Sequence, residues 1–234
     1  MIHEIRAHEI FALVKPEETA WRLVSMKIPI RRDPAHGDHS LKLLELMILI
    51  ACVRIVDATA MFEIGTFLGN STLHMALNAR KNDNAVIHTL DLPEKDKFRL
   101  YPWAEGLPKE YNRVHEAKEF GADIVELTGD STSFDFSRFL DRIDLVLIDG
   151  DHSREAVASD SVWANRMIRS TGVILWHDYD QVNDPGCVAA IRQFSSDLGK
   201  DMFHVWDTEL VLAFGDLPIT ERLKARSTPE VVTA

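Results

Sequence analysis

A chain of 234 residues, 46% of them hydrophobic, suits one α/β domain with a terminal extension and can bury a sizeable core. Its formal net charge of −11 argues against nucleic acid as a partner, because phosphate backbones need a basic surface. No segment is apolar for long enough to span a bilayer, Met-Ile-His-Glu-Ile-Arg lacks the layout of a secretory leader, and Cys52 and Cys187 are too few for a disulfide framework, so a cytoplasmic protein is expected.

Residues 1–40 are mixed in character, with a helix expected around Glu17 to Met26 and then a proline-rich run, Ile28-Pro-Ile-Arg-Arg-Asp-Pro, that suits no regular element. Ser40 stands where it can cap a helix running through Leu41 to Val56, apolar almost all round and therefore buried. From residue 60 strands and helices alternate. Strands are expected at Met61 to Ile64, Ala85 to Asp91, Asp123 to Leu127, Ile143 to Asp149 and Gly172 to Asp178. Helices are expected at Ser71 to Arg80, Arg154 to Arg169 and Val188 to Leu198. Two closing strands, Met202 to Trp206 and Glu209 to Phe214, are separated by two residues, which permits an antiparallel hairpin and no parallel crossover. The pattern predicts a doubly wound, mostly parallel sheet with one reversed strand. Residues 92–120, with Pro93, Pro102 and Pro108 beside Tyr101 and Trp103, break the alternation and read as a lid-like insertion.

The most informative segment is Met61-Phe62-Glu63-Ile64-Gly65-Thr66-Phe67-Leu68-Gly69-Asn70-Ser71-Thr72. An apolar strand ends in an acid, turns through two glycines and enters a helix near Ser71, the layout by which a backbone approaches a nucleotide-like cofactor. The dinucleotide fingerprint Gly-x-Gly-x-x-Gly is absent. The segment resembles the first motif of class I S-adenosylmethionine-dependent methyltransferases, with Phe67 at the middle glycine, a variant similar to small-molecule O-methyltransferases of the catechol type. The resemblance implies a Rossmann-like sheet of seven strands. It also implies cofactor contacts from Glu63, Gly65, Thr66, Phe67, Gly69 and Ser71.

Glu63, Asp91, Asp149 and the pair His177-Asp178 each end a predicted strand, and in open parallel sheets ligands bind beyond those ends, so the four should meet in one crevice. Asp91, 28 residues after Glu63, is placed to accept both ribose hydroxyls. Asp130 and Ser131 follow the third strand; by resemblance they line the adenine, and by local chemistry an Asp-Ser pair caps a helix. Asp149-Gly150-Asp151-His152-Ser153, followed by Gly172 to Tyr179, is similar to the metal-dependent sugar and macrolide O-methyltransferases. That resemblance implies a divalent cation, Mg²⁺ or Mn²⁺, on Asp149 and Asp178, with Asp149 also beside the cofactor. His177 departs from the pattern: as a third ligand it shifts preference away from Mg²⁺, and otherwise it hydrogen-bonds a neighbouring carboxylate. His152 reads as the catalytic base.

The expectation is therefore methyl transfer from S-adenosylmethionine to a hydroxyl of a small molecule (a sugar, phenol or natural product), assisted by a divalent cation. Residues 41–220 would form the catalytic domain, 1–40 an extension serving the acceptor site or a homodimer contact, and 221–234 a tail. An NAD-dependent oxidoreductase is the rival enzyme, using Asp91 on a ribose; a non-catalytic methyltransferase-like binding domain is the other alternative.

Overall fold

The structure is a computed structural model that describes residues 1–14, 41–79, 84–100, 113–120 and 122–229. The helix expected at Glu17 to Met26, the Ile28–Pro34 run, Ser40 and the centre of the 92–120 insertion lie outside the described residues.

In chain order the elements are β1 (Ile2–Ile5), α1 (Ala7–Phe11), α2 (Leu43–Ile55), β2 (Ala60–Ile64), α3 (Asn70–Asn78) and β3 (Ala85–Asp91). Next come α4 (Glu94–Leu100), α5 (Val114–Ala117), β4 (Ala122–Thr128), a 3₁₀ turn at Ser137–Phe139, β5 (Ile143–Ile148) and α6 (Arg154–Met167). The chain continues through β6 (Ile168–Trp176), α7 (Pro185–Leu198), β7 (Met202–Val205), β8 (Val211–Phe214), α8 (Pro218–Lys224) and β9 (Thr228–Pro229).

One sheet runs in the order β4-β3-β2-β5-β6-β8-β7-β1-β9. From β4 to β6 every pairing is parallel, and β8 is antiparallel to both β6 and β7. The seven expected strands, β2 to β8, are present with the reversed strand where the hairpin signal put it. Two further strands extend the sheet: β1 adds parallel to β7, and β9 adds antiparallel to β1. The opening Ile-His-Glu-Ile is too short for its alternation to announce a strand.

β5 shows why the central run is continuously apolar. Leu145 and Leu147 face a layer that includes Ile48 and Leu49 of α2, while Val146 and Ile148 face Val157 of α6 and Ile191 of α7. Both faces of the strand are covered, so period-2 alternation disappears. α2 is buried along most of its length, as its all-round apolar pattern implies. Its N-cap is Lys42, whose backbone N–H donates to Glu45 at 2.7 Å.

Several boundaries moved. The helix predicted to reach Arg169 stops at Met167, and β6 begins at once, with an irregularity in its pairing to β5 that skips the Arg169–Gly172 stretch. The hairpin link also widens from two residues to 206–210, since the Thr208 hydroxyl and the Leu210 carbonyl close the turn on Val205. Among the described residues no helix is long and apolar enough to cross a membrane.

Candidate active site

The strand order reverses between β2 and β5, and the loops leaving these strands touch. Asp149 N donates to the Ile64 carbonyl at 2.8 Å, and Gly65 packs so tightly that a Cβ would sit 1.9 Å from the Asp149 carbonyl oxygen. Gly65 also has φ +96°, open to glycine and strained for other residues. This is the switch point at which doubly wound sheets bind ligands. Gly69, at φ +71°, starts α3 against Val114, whose backbone N would be 2.9 Å from an added Cβ. Phe67 itself takes a left-handed φ of +46°, and its N–H donates to Asp91 at 2.8 Å.

Beneath this turn lies a polar knot. Glu63 is 0% exposed and accepts from the hydroxyls of Ser71, Thr72 and Thr89, with Thr66 bonded onward to Thr89. Burial pushes the Glu63 carboxyl up to about 7 despite those three donors. Glu63, Thr66 and Ser71, expected to contact the cofactor, engage their side chains in this buried network beneath the turn.

Asp91 accepts from the amides of Phe67 and Leu92 at 2.8 Å each and is ion-paired with Lys97 of α4, which also donates to the Phe67 carbonyl at 3.0 Å. Asp130 closes a turn on Thr132 that leads into no helix, while the Ser131 hydroxyl donates to Asp160 of α6 at 3.2 Å. Asp160 is 0% exposed with one carboxylate oxygen unpartnered, and burial raises its carboxyl to about 7.

Beyond β5 and β6 the acids converge as expected. His177 Nδ1 lies 3.2 Å from Asp149 and 3.1 Å from Asp178, and its Nε2 lies 3.2 Å from Glu45 of α2. Burial would lower the His177 pKa, but the surrounding carboxylates raise it far above the ordinary histidine value. Burial raises Asp149 against the pull of His177, whereas at Asp178 the two imidazoles outweigh burial and lower it. Asp178 sits at φ +60°, a left-handed conformation costly for a non-glycine residue and frequent at functional positions.

His152 is the more open histidine. Its Nδ1 is 2.8 Å from Asp184 and its Nε2 3.1 Å from Asp178; burial lowers its pKa, but these two acids turn the net shift upward. Asp184 precedes Pro185 at the start of α7 and would read as a helix cap, yet its carboxylate reaches His152.

Three ligand atoms from Asp149, His177 and Asp178 lie within 4.8 Å of one another. His177 Nδ1 is a buried nitrogen that makes no well-aligned hydrogen bond, although two carboxylates face it. An unsatisfied buried imidazole nitrogen between two carboxylate oxygens is the donor set a divalent ion takes, so these residues fit a metal. A second small cleft, lined by Asn84, Ala85, Lys118, Ala122 and Asp123, opens at the amino ends of β3 and β4, the end of the sheet remote from these acids.

Residues 62–179, just over half of the chain, match the family described as a methyltransferase domain. The chain belongs to that family. Its sheet has the Rossmann-like fold of solved O-methyltransferases. Solved structures with the same fold include an O-methyltransferase from Bacillus cereus in complex with SAH (18% identity, 76% of this chain and 84% of that one, TM-score 0.53). The O-methyltransferase TomG from Streptomyces achromogenes, involved in tomaymycin synthesis and solved with SAM, aligns at 17% identity over 76% and 82% of the two chains (TM-score 0.54). The O-methyltransferase NovP aligns at 16% identity over 73% and 78% (TM-score 0.58). No curated protein sequence matches the chain.

Proposed function

We propose that this methyltransferase moves the S-adenosylmethionine methyl group to a hydroxyl of a small molecule, with a divalent cation held by Asp149, His177 and Asp178. The observation that carries the reading is the meeting of that acid–imidazole cluster with the Gly65 turn at the switch point. When bound, the cofactor supplies an electrophilic methyl group and the cation an electrophile that acidifies a hydroxyl.

The chain's own residues do the rest. The backbone of 65–69 and the Asp91 carboxylate receive the cofactor, Lys97 giving up or sharing that carboxylate. Asp184 holds His152 by Nδ1, and Nε2, which faces Asp178, is the atom placed to take the acceptor's proton. Positioning the oxygen behind the methyl group is worth roughly 7–11 kcal/mol at best. The net charge of −11 supports a small acceptor rather than a nucleic acid. Of the segments proposed to line the acceptor pocket, the loop after Asp178 is described, while 28–39 and the centre of the 92–120 insertion lie outside the described residues; 1–40 would also offer a homodimer contact and 41–220 the catalytic unit.

Calorimetry with SAH should give a dissociation constant of about 1–100 μM. Asp91→Ala should weaken it by about 1.5–3 kcal/mol, since two ribose hydroxyls lose a charged acceptor. Binding of NAD in place of SAH would replace this reading with the dehydrogenase one.

Asp149→Asn and Asp178→Asn should each lower divalent-cation affinity while SAH affinity stays within a few fold. Activity unchanged by exhaustive chelation would remove the cation from the proposal.

A further inference from the structure

Glu45 lies outside every motif, on the first turn of α2, yet its side chain reaches the centre of the site. It is 0% exposed. Its two oxygens receive the backbone N–H of Lys42 at 2.7 Å and of Glu209 at 2.9 Å, one from its own helix start and one from the approach to β8. The third partner is His177 Nε2, at 3.2 Å from Oε2.

A helix-capping glutamate needs no burial and no imidazole. A carboxylate that already receives two amide N–H groups, at the positive end of a helix, is ionised and can only accept. The nitrogen facing it must therefore carry a hydrogen. That assigns the Nε2–H form to His177 and leaves Nδ1, the atom between Asp149 and Asp178, to offer its lone pair once an ion is present.

We propose that Glu45 is a positioning residue of the metal site, fixing through Nε2–H the His177 tautomer and ring orientation that put Nδ1 into the ligand set. The inference rests on the cation-assisted reading above and goes beyond it, because it names the residue that makes the histidine a ligand. Carboxylate–histidine–metal relays of this kind raise ligand basicity and fix the ring. A nitrogen ligand held in place also biases the site from Mg²⁺ towards Mn²⁺, Co²⁺ or Zn²⁺. The Glu209 N–H, from the link before β8, fixes the Glu45 carboxylate, so the start of α2 and the β7–β8 link together place the oxygen that His177 Nε2 meets.

The test is Co²⁺ titration of the full chain, followed by calorimetry and by visible absorption of the bound ion, with SAH binding measured in parallel. Wild type should bind Co²⁺ more tightly than Mg²⁺. Glu45→Gln should bind Co²⁺ roughly 10–100-fold more weakly, the usual loss for an outer-shell partner, with SAH affinity kept within a few fold. Glu45→Asp, which keeps the charge, should recover part of the loss.

A folded Glu45→Gln protein with wild-type Co²⁺ affinity and an unchanged spectrum would overturn the Glu45 role alone. Wild type that binds SAH and no divalent ion would overturn the cation-assisted reading and this inference with it. Because Glu45 variants could fail to fold, a second measurement uses wild type: ¹⁵N-histidine spectra of the Zn²⁺-loaded chain, with His177 assigned through His177→Asp. A proton on Nε2 supports the proposal, and a proton on Nδ1 with Nε2 metallated overturns it.

Discussion

His152→Ala should lower kcat by roughly 10²–10⁴-fold, the usual loss when a general base is removed, with SAH affinity almost unchanged. The expectation comes from geometry: the imidazole is anchored at Nδ1 by Asp184, presents Nε2 beside Asp178 and is the most exposed member of the cluster. The sign of its pH dependence follows from its partners. Burial lowers the His152 pKa, but Asp178 and Asp184 outweigh it, so the group holds its proton to higher pH than an ordinary histidine. A base must be unprotonated to act, so the acid limb of the wild-type profile should lie above the ordinary value of about 6.5, and a cation on Asp178 should pull it back down.

The same anchoring predicts that Asp184→Asn lowers the proton affinity of His152 and moves that limb to lower pH. In His152→Ala the limb should flatten. Full kcat with an unshifted acid limb in His152→Ala would sink the assignment and leave activation of the acceptor to the cluster around His177.

How legible this was depends on whether a residue's role is local. The turn could be read because Gly65 and Gly69 sit at positive φ, a backbone demand that shows in the residue type itself, and β5 because burial on both faces leaves a continuous apolar run. Asp149 and Asp178 were legible as acids at strand ends, where the sheet's topology gathers them. Glu45, Lys97, Asp160 and Asp184 were not. Each lies on or at the start of a helix, where an acid or lysine is normally a solvated or capping residue, and only packing turns it towards a strand end. Glu63 is the opposite case: its motif is plain in the sequence, and the buried network that takes its side chain is not. An acid at the last inward-facing position of a central strand points into the layer beneath the turn, and three hydroxyls, Ser71, Thr72 and Thr89, were present in the sequence to receive it. Their spacing carried no signal until the helix and the neighbouring strand were brought together.

That inward carboxyl leads to the second large effect, on stability rather than rate. Glu63→Ala should destabilise the fold by about 3–5 kcal/mol, since it opens a cavity and leaves three buried hydroxyls without their acceptor. Glu63→Gln should behave differently, and its behaviour should depend on pH. The folded pKa of Glu63, about 7, lies above the model-peptide value of 4.5 because burial penalises the charge. Between those two values the folded chain keeps a proton that the unfolded chain releases, so stability falls as pH rises through this window and levels off above it. At about 1.4 kcal/mol per pH unit, the full contribution is on the order of 3 kcal/mol. Gln carries no charge at any pH and matches the neutral acid in size. Glu63→Gln should therefore be modestly less stable than wild type near pH 5 and equal to it or more stable near pH 8. Urea denaturation of both proteins at the two pH values measures the crossing directly. If the two stability profiles run parallel from pH 5 to pH 8, then Glu63 is ionised throughout, the three hydroxyls stabilise its charge fully, and the knot beneath the turn is an anion held in place rather than a neutral hydrogen-bonded cluster.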